Sequence, residues 1–184
     1  MKALKTIRLD ASDALVFDPP AEPGEWAVTG SFLFWDQDPQ ALSGKARVAF
    51  RSGLLGIDSF GWSTLVAVAE VTEVERATAR SQLAQQIFTR LGAPSLSAAE
   101  AAAEEELGYA ESLANHPPNT LIAIHRTLDD QGQIVEQFRT LAPRAPEQRE
   151  GALRYGPAFT LVATDEEAPE ERVDLVSVMK GRHP

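Results

Sequence analysis

The hydrophobic pattern is clearest over residues 63–71, where Leu65, Val66, Ala67, Val68 and Ala69 form a charge-free run of the length of one buried strand. Just upstream, Gly53, Gly56 and Gly61 surround Asp58, so a glycine-rich loop is predicted to lead straight into that core strand. Downstream, Thr72 and Glu75 have the spacing of a capping box, and Ala77, Ala84, Ile87, Phe88 and Leu91 recur at helical intervals until Gly92 and Pro94 stop the run. Ser97 and Glu100 repeat the box and predict a further helix over 98–114. The two helices are expected to pack as a hairpin with Ile87, Phe88, Leu91, Leu107 and Leu113 toward the sheet.

The rest of the chain fits around this centre. Residues 6–9 and 14–17 are short strand candidates, ended by Pro19, Pro20, Pro23 and Gly24. The aromatic-rich stretch 26–35 reads as an antiparallel hairpin interrupted by Gly30. Asp38 and Pro39 form an N-cap pair for a short first helix running to Gly53, with Leu42, Ala46, Ala49 and Phe50 on one face. Residues 120–128 and 134–141 are strands joined through Asp129, Asp130 and Gly132, and Gly132 is expected to hold a positive φ. A strand followed by two helices returns to the sheet antiparallel, so the fold class expected is α+β, a two-layer arrangement of a mostly antiparallel sheet with helices packed on one face. A single domain is expected over 1–164, with a flexible connection at 142–151, a strand at 158–164, and an acidic tail at 165–184 that is partly ordered or binds a partner.

Composition narrows the function classes. The 184 residues carry 27 Asp and Glu against 17 Lys and Arg, a formal charge of −10, and the basic residues are scattered. Such a field repels phosphate backbones and anionic lipid surfaces, so nucleic acid and membrane are excluded as expected partners. With no cysteine, disulfides, thiolate metal sites and Cys nucleophiles are ruled out. No apolar run near the start is long enough for a leader or a membrane helix, and the chain is expected to be cytoplasmic.

No catalytic frame stands out. The spacing of Gly53, Gly56 and Gly61 matches neither a dinucleotide nor a P-loop fingerprint, and the loop opens a strand where a phosphate loop opens a helix. Asp58, Ser59, Ser63 and His125 have the residue types of a triad without the nucleophile-elbow motif. His116 and His125, even with Glu104, Glu105 or Glu111, lack a short ligand spacing, so no metal and no cofactor are expected. Glu104 to Glu106 read as a solvated helix face. The candidate ligand- or partner-binding residues are therefore Trp35, Gly53, Gly56, Asp58, Trp62, His116, His125 and Arg126.

The segments GEWAV from Gly24, FLFWD from Phe32, GLLGIDSFGWSTLV from Gly53 and HPPNTLIAIHRT from His116 together resemble a family of short bacterial proteins carrying a domain of unknown function, over residues 6–143. The resemblance brings no catalytic residue with it and tilts the expectation toward accessory proteins of redox or cofactor-dependent enzyme systems. The function expected is thus a non-enzymatic accessory or protein-binding module, with a protein partner that is either foreign or a second copy in a homodimer. The alternative is a small enzyme or small-molecule-binding protein with its site near Asp58, His125 and Arg126.

Overall fold

The computed structural model describes residues 1–141. Seven strands form one sheet, β1 Lys2–Ile7, β2 Trp26–Val28, β3 Leu54–Gly56, β4 Trp62–Ser63, β5 Leu65–Glu70, β6 Leu121–Leu128 and β7 Ile134–Leu141. Their order is β4-β3-β2-β1-β5-β6-β7, and every neighbouring pair is antiparallel. Four helices accompany them, α1 Ser12–Val16, α2 Gly44–Ser52, α3 Glu73–Leu91 and α4 Leu96–Leu113, with a 3-10 turn at Ser31–Phe34. The sheet is curled, and the fold is α+β as the pattern predicts.

The core strand β5 lies between β1 and β6, and Val66 and Val68 are buried with Leu4, Ile122 and Ile124. Two helices then intervene before β6 returns antiparallel, as expected. Thr72 and Glu75 close the capping box of α3. At α4 the cap is Ser95, whose Oγ accepts from the Ala98 amide at 3.1 Å, two residues before the predicted Ser97. Arg76 clamps the helix pair through Glu104 and Glu111 at 2.6 Å each. The stripe of α3 that faces inward is Ala79, Leu83, Ala84 and Ile87, whereas Phe88 and Leu91 are 40% and 46% exposed. The small side chains allow α3 to approach α4, where Ala99, Ala103, Leu107 and Ala110 are buried.

Five assignments differ from the sequence pattern. β1 begins at Lys2 rather than residue 6, because residues 2–7 all pair with β5 around the buried Leu4, and Lys2 is kept in the strand by its Nζ, which donates to the His116 carbonyl at 2.7 Å. Residues 12–16 are helical, not a strand: Asp10 caps the turn through the Ser12 amide, and the buried Asp13 carboxylate accepts from the Thr64 hydroxyl at 2.6 Å and the Thr64 amide at 3.2 Å. Residues 26–35 do not form a hairpin. Gly30 at φ 78° breaks the strand into a 3-10 turn, and β2 pairs with β1 on one side and β3 on the other.

The first helix starts at Gly44, because Asp38 closes a turn on the Gln40 amide instead of capping a helix. The glycine-rich stretch is likewise a β3–β4 hairpin, its turn held by Glu25, whose Oε2 accepts from the Asp58 and Ser59 amides at 2.9 and 2.8 Å. The hairpin of β6 and β7 is as predicted, with Gly132 at φ 78°. The expected connection at 142–151, the strand at 158–164 and the tail at 165–184 lie outside the described residues.

Candidate functional site

Strand alternation sets the polar centre of the domain. In β6 the even positions Ile122, Ile124 and Arg126 turn toward the helices, so Arg126 is carried into the core and is only 1% exposed. Its Nη1 donates to the carbonyls of Phe50 and Gly53 at 3.0 and 2.8 Å, and Nη2 donates to the carbonyl of Thr29. Its Nε is shared between the Ser31 hydroxyl at 2.6 Å and Glu136 Oε1 at 3.1 Å. A single guanidinium therefore ties together the end of β2, the 3-10 turn, the C-terminus of α2, the start of β3 and the β6–β7 hairpin. Only a planar, multi-donor cation has the geometry for this.

Glu136 receives more than Arg126. The Ser31 hydroxyl donates to its Oε1, and the Tyr109 hydroxyl of α4 donates to its Oε2 at 3.0 Å. Burial holds the Arg126 guanidinium below its ordinary pKa, against the pull of Glu136. Glu106, one turn before Tyr109 on α4, is raised to about 7, first by burial and then by the charges of Glu136 and Glu105. Tyr109 is pushed up to about 12 by burial and by Glu136. Two carboxylates thus face one cation, and the second of them holds its proton near neutrality. The glutamates of α4 are not one solvated face: Glu104 pairs with Arg76 and Arg80, whereas Glu106 is turned into this cluster.

The sequence-derived candidates divide. Gly53 and Trp62 join Arg126: Gly53 supplies a carbonyl to it, and a Cβ on Gly53 would stand 2.7 Å from the Trp62 ring, which stacks on Phe34 with centroids 5.4 Å apart. Gly56 packs against Glu25 in the neighbouring hairpin, where a Cβ would stand 2.7 Å from Oε2. Asp58 sits in the turn of that hairpin, its carbonyl accepting from Gln86 of α3 at 2.9 Å and its carboxyl raised by burial and by Glu25. His125, adjacent to Arg126 in the strand, points to the opposite side of the sheet. His116 contributes its carbonyl to Lys2 at 2.7 Å. Trp35 is 70% exposed just beyond the 3-10 turn.

Ser63 donates to the carbonyls of Ile7 and Leu65 and reaches Asp13 at 3.3 Å, which braces the bend between β4 and β5. A small apolar cavity lies elsewhere, between β1, β2 and the two long helices, walled by Leu4, Ala27, Ala79, Leu107 and Ala110 among others. No group of three or more His, Cys, Asp or Glu positioned for a metal occurs among the described residues. No helix among them is long and apolar enough to cross a membrane.

Ser31, Thr29, Tyr109 and Glu136 are not among the sequence-derived candidates, and Glu106 is expected there only as part of a solvated helix face. For Glu136 a signal exists: counting outward from the Gly132 turn puts it opposite Arg126, the register observed. Thr29 and Ser31 are brought in by tertiary packing across 97 and 105 residues of chain, and Tyr109 across 27, which no local pattern encodes.

Fold and centre together define a small α+β domain whose curled antiparallel sheet is pinned by one buried arginine. The family described as "Family of unknown function (DUF6505)" matches residues 1–154, and the chain belongs to it. No curated protein and no solved structure matches the chain.

Proposed function

We propose that this protein is a non-enzymatic accessory module that binds a protein partner. The reading rests on Trp35, which stands 70% exposed although it directly follows Phe34, a side chain packed on Phe50 and Trp62. An indole held at the end of a rigid aromatic cluster is pre-organised for contact, and such residues dominate interface energetics. At the centre Arg126 is engaged with three backbone carbonyls, and Ser31, Tyr109 and Glu136 with one another and with Arg126, which suits a scaffold. Affinity capture with the full chain from its native host, quantified by mass spectrometry, tests the reading. A specific partner lost in Trp35→Ala but kept in Phe88→Ala supports it. Turnover in a metabolite screen that disappears in a folded His125→Ala or Asp58→Ala variant replaces it with the enzyme alternative.

A further inference from the structure

The side of β1, β5, β6 and β7 turned away from the helices has a composition unlike the rest of the molecule. It is made by the odd-numbered residues of these strands, and none of them is Asp or Glu, in a chain with 27 carboxylates. Small half-exposed side chains, Ala67, Ala69 and Ala123, make its centre flat, and Lys5 and Arg139 supply its charge. Lys5 lies 4.3 Å from the centre of the Trp26 ring, and the nearby carboxylate of Glu75 is engaged in the Thr72 cap. A flat, cationic, partly apolar face asks for an occupant that is acidic and apolar. A second copy of the same face would place like charges against each other, which disfavours self-pairing.

The chain itself supplies the complementary chemistry. Beyond Leu141, where β7 ends on this side of the sheet, 43 residues remain outside the described part. Within them, Phe159, Leu161 and Ala163 alternate with other residues and are followed by Asp165, Glu166, Glu167, Glu170 and Glu171. We propose that residues 158–171 dock on the open face, the apolar side chains over the alanines and the acidic run toward Lys5 and Arg139. The 16 intervening residues span roughly 50 Å when extended, whereas four strands are about 15 Å across, so the tether reaches every part of the face. Tethering raises the local concentration of the segment far above that of any free competitor. The inference is independent of the partner proposed for Trp35.

The absence of cysteine makes the test direct, since one introduced thiol is the only reactive one in the full chain. Gln137→Cys and Ala123→Cys place it on the open face, Glu105→Cys on the exposed side of α4 serves as control, and iodoacetamide labelling is followed by intact mass. The face thiols should label about tenfold more slowly than the control. Neutralising the acidic run with Asp165→Asn and Gln at the four glutamates should remove that protection, and dilution of the protein should not. Rapid labelling of Gln137→Cys in the otherwise unchanged full chain overturns the proposal. So does protection that survives neutralisation, and so does protection lost on dilution, which assigns the face to a second copy.

Discussion

Arg126 of β6 and Glu136 of β7 stand opposite each other across the hairpin, Nε to Oε1 3.1 Å, with the arginine fully buried and the glutamate reaching toward α4. The pair is less an ion pair added to a finished core than the junction at which five segments are fixed. Removing the guanidinium leaves the carbonyls of Thr29, Phe50 and Gly53 without this donor and Glu136 without its counter-charge.

Arg126→Ala should therefore destabilise the domain by about 3–5 kcal/mol, the range for breaking a buried charge from one side. Urea denaturation followed by circular dichroism measures it. Arg126→Lys keeps the charge but cannot reach the same set of acceptors, and should fall between the parent and the alanine variant. Equal stability of Arg126→Ala and the parent would contradict the central role given to this residue.

Glu106 gives the domain a specific pH dependence. Its pKa is raised from 4.5 to about 7 in the fold, so between those values the folded state holds a proton that the unfolded state has released. Its contribution is complete below pH 4.5, declines as pH rises through that window and is gone above about 7. Allowing for its partial exposure, the loss is about 1–2 kcal/mol. Glu106→Gln should flatten the decline between pH 5 and 8 in urea titrations, and a parent-like slope in that variant would assign the dependence to another group.

What the sequence revealed and what it concealed follow from the range of the interactions. The capping box at Thr72, the β6–β7 hairpin around Gly132 and the antiparallel return after two helices are local, and each was legible. The short elements were not. Residues 12–16 become helical with Asp13 held by Ser63 and Thr64, about fifty positions away, and the glycine-rich stretch becomes a hairpin because Glu25 binds its turn. At the candidate centre, Arg126, Gly53 and Trp62 were recognisable by residue type. Their convergence depends on the sheet curling so that β6 meets the start of β3, a feature of topology with no periodic trace.

Gly30 and Gly24 separate two reasons for glycine. Both have positive φ, 78° and 90°, but a Cβ on Gly30 would stand 2.7 Å from Leu55 Cβ and 3.0 Å from the Trp62 ring, whereas at Gly24 nothing lies within 4 Å. Gly24→Ala should cost only the backbone term, about 1 kcal/mol. Gly30→Ala adds a clash with buried, rigid neighbours and should cost about 2–4 kcal/mol. Thermal melts of the two variants side by side decide whether sterics or dihedral preference governs the 3-10 turn.

The orientation of α3 gives a sharper test of the packing. Leu83, which the helical pattern does not single out, is fully buried, whereas Phe88, the larger side chain expected to face the sheet, is 40% exposed. Leu83→Ala removes buried methyl groups from the layer between the sheet and α4, and the neighbouring alanines have no length with which to refill the space. It should cost about 2–5 kcal/mol. Phe88→Ala removes a side chain that water already reaches and should cost under about 1 kcal/mol. Reversal of that order in urea denaturation would mean that α3 is rotated about its axis, which would also move Gln86 away from the Asp58 carbonyl and free the β3–β4 turn from the helix.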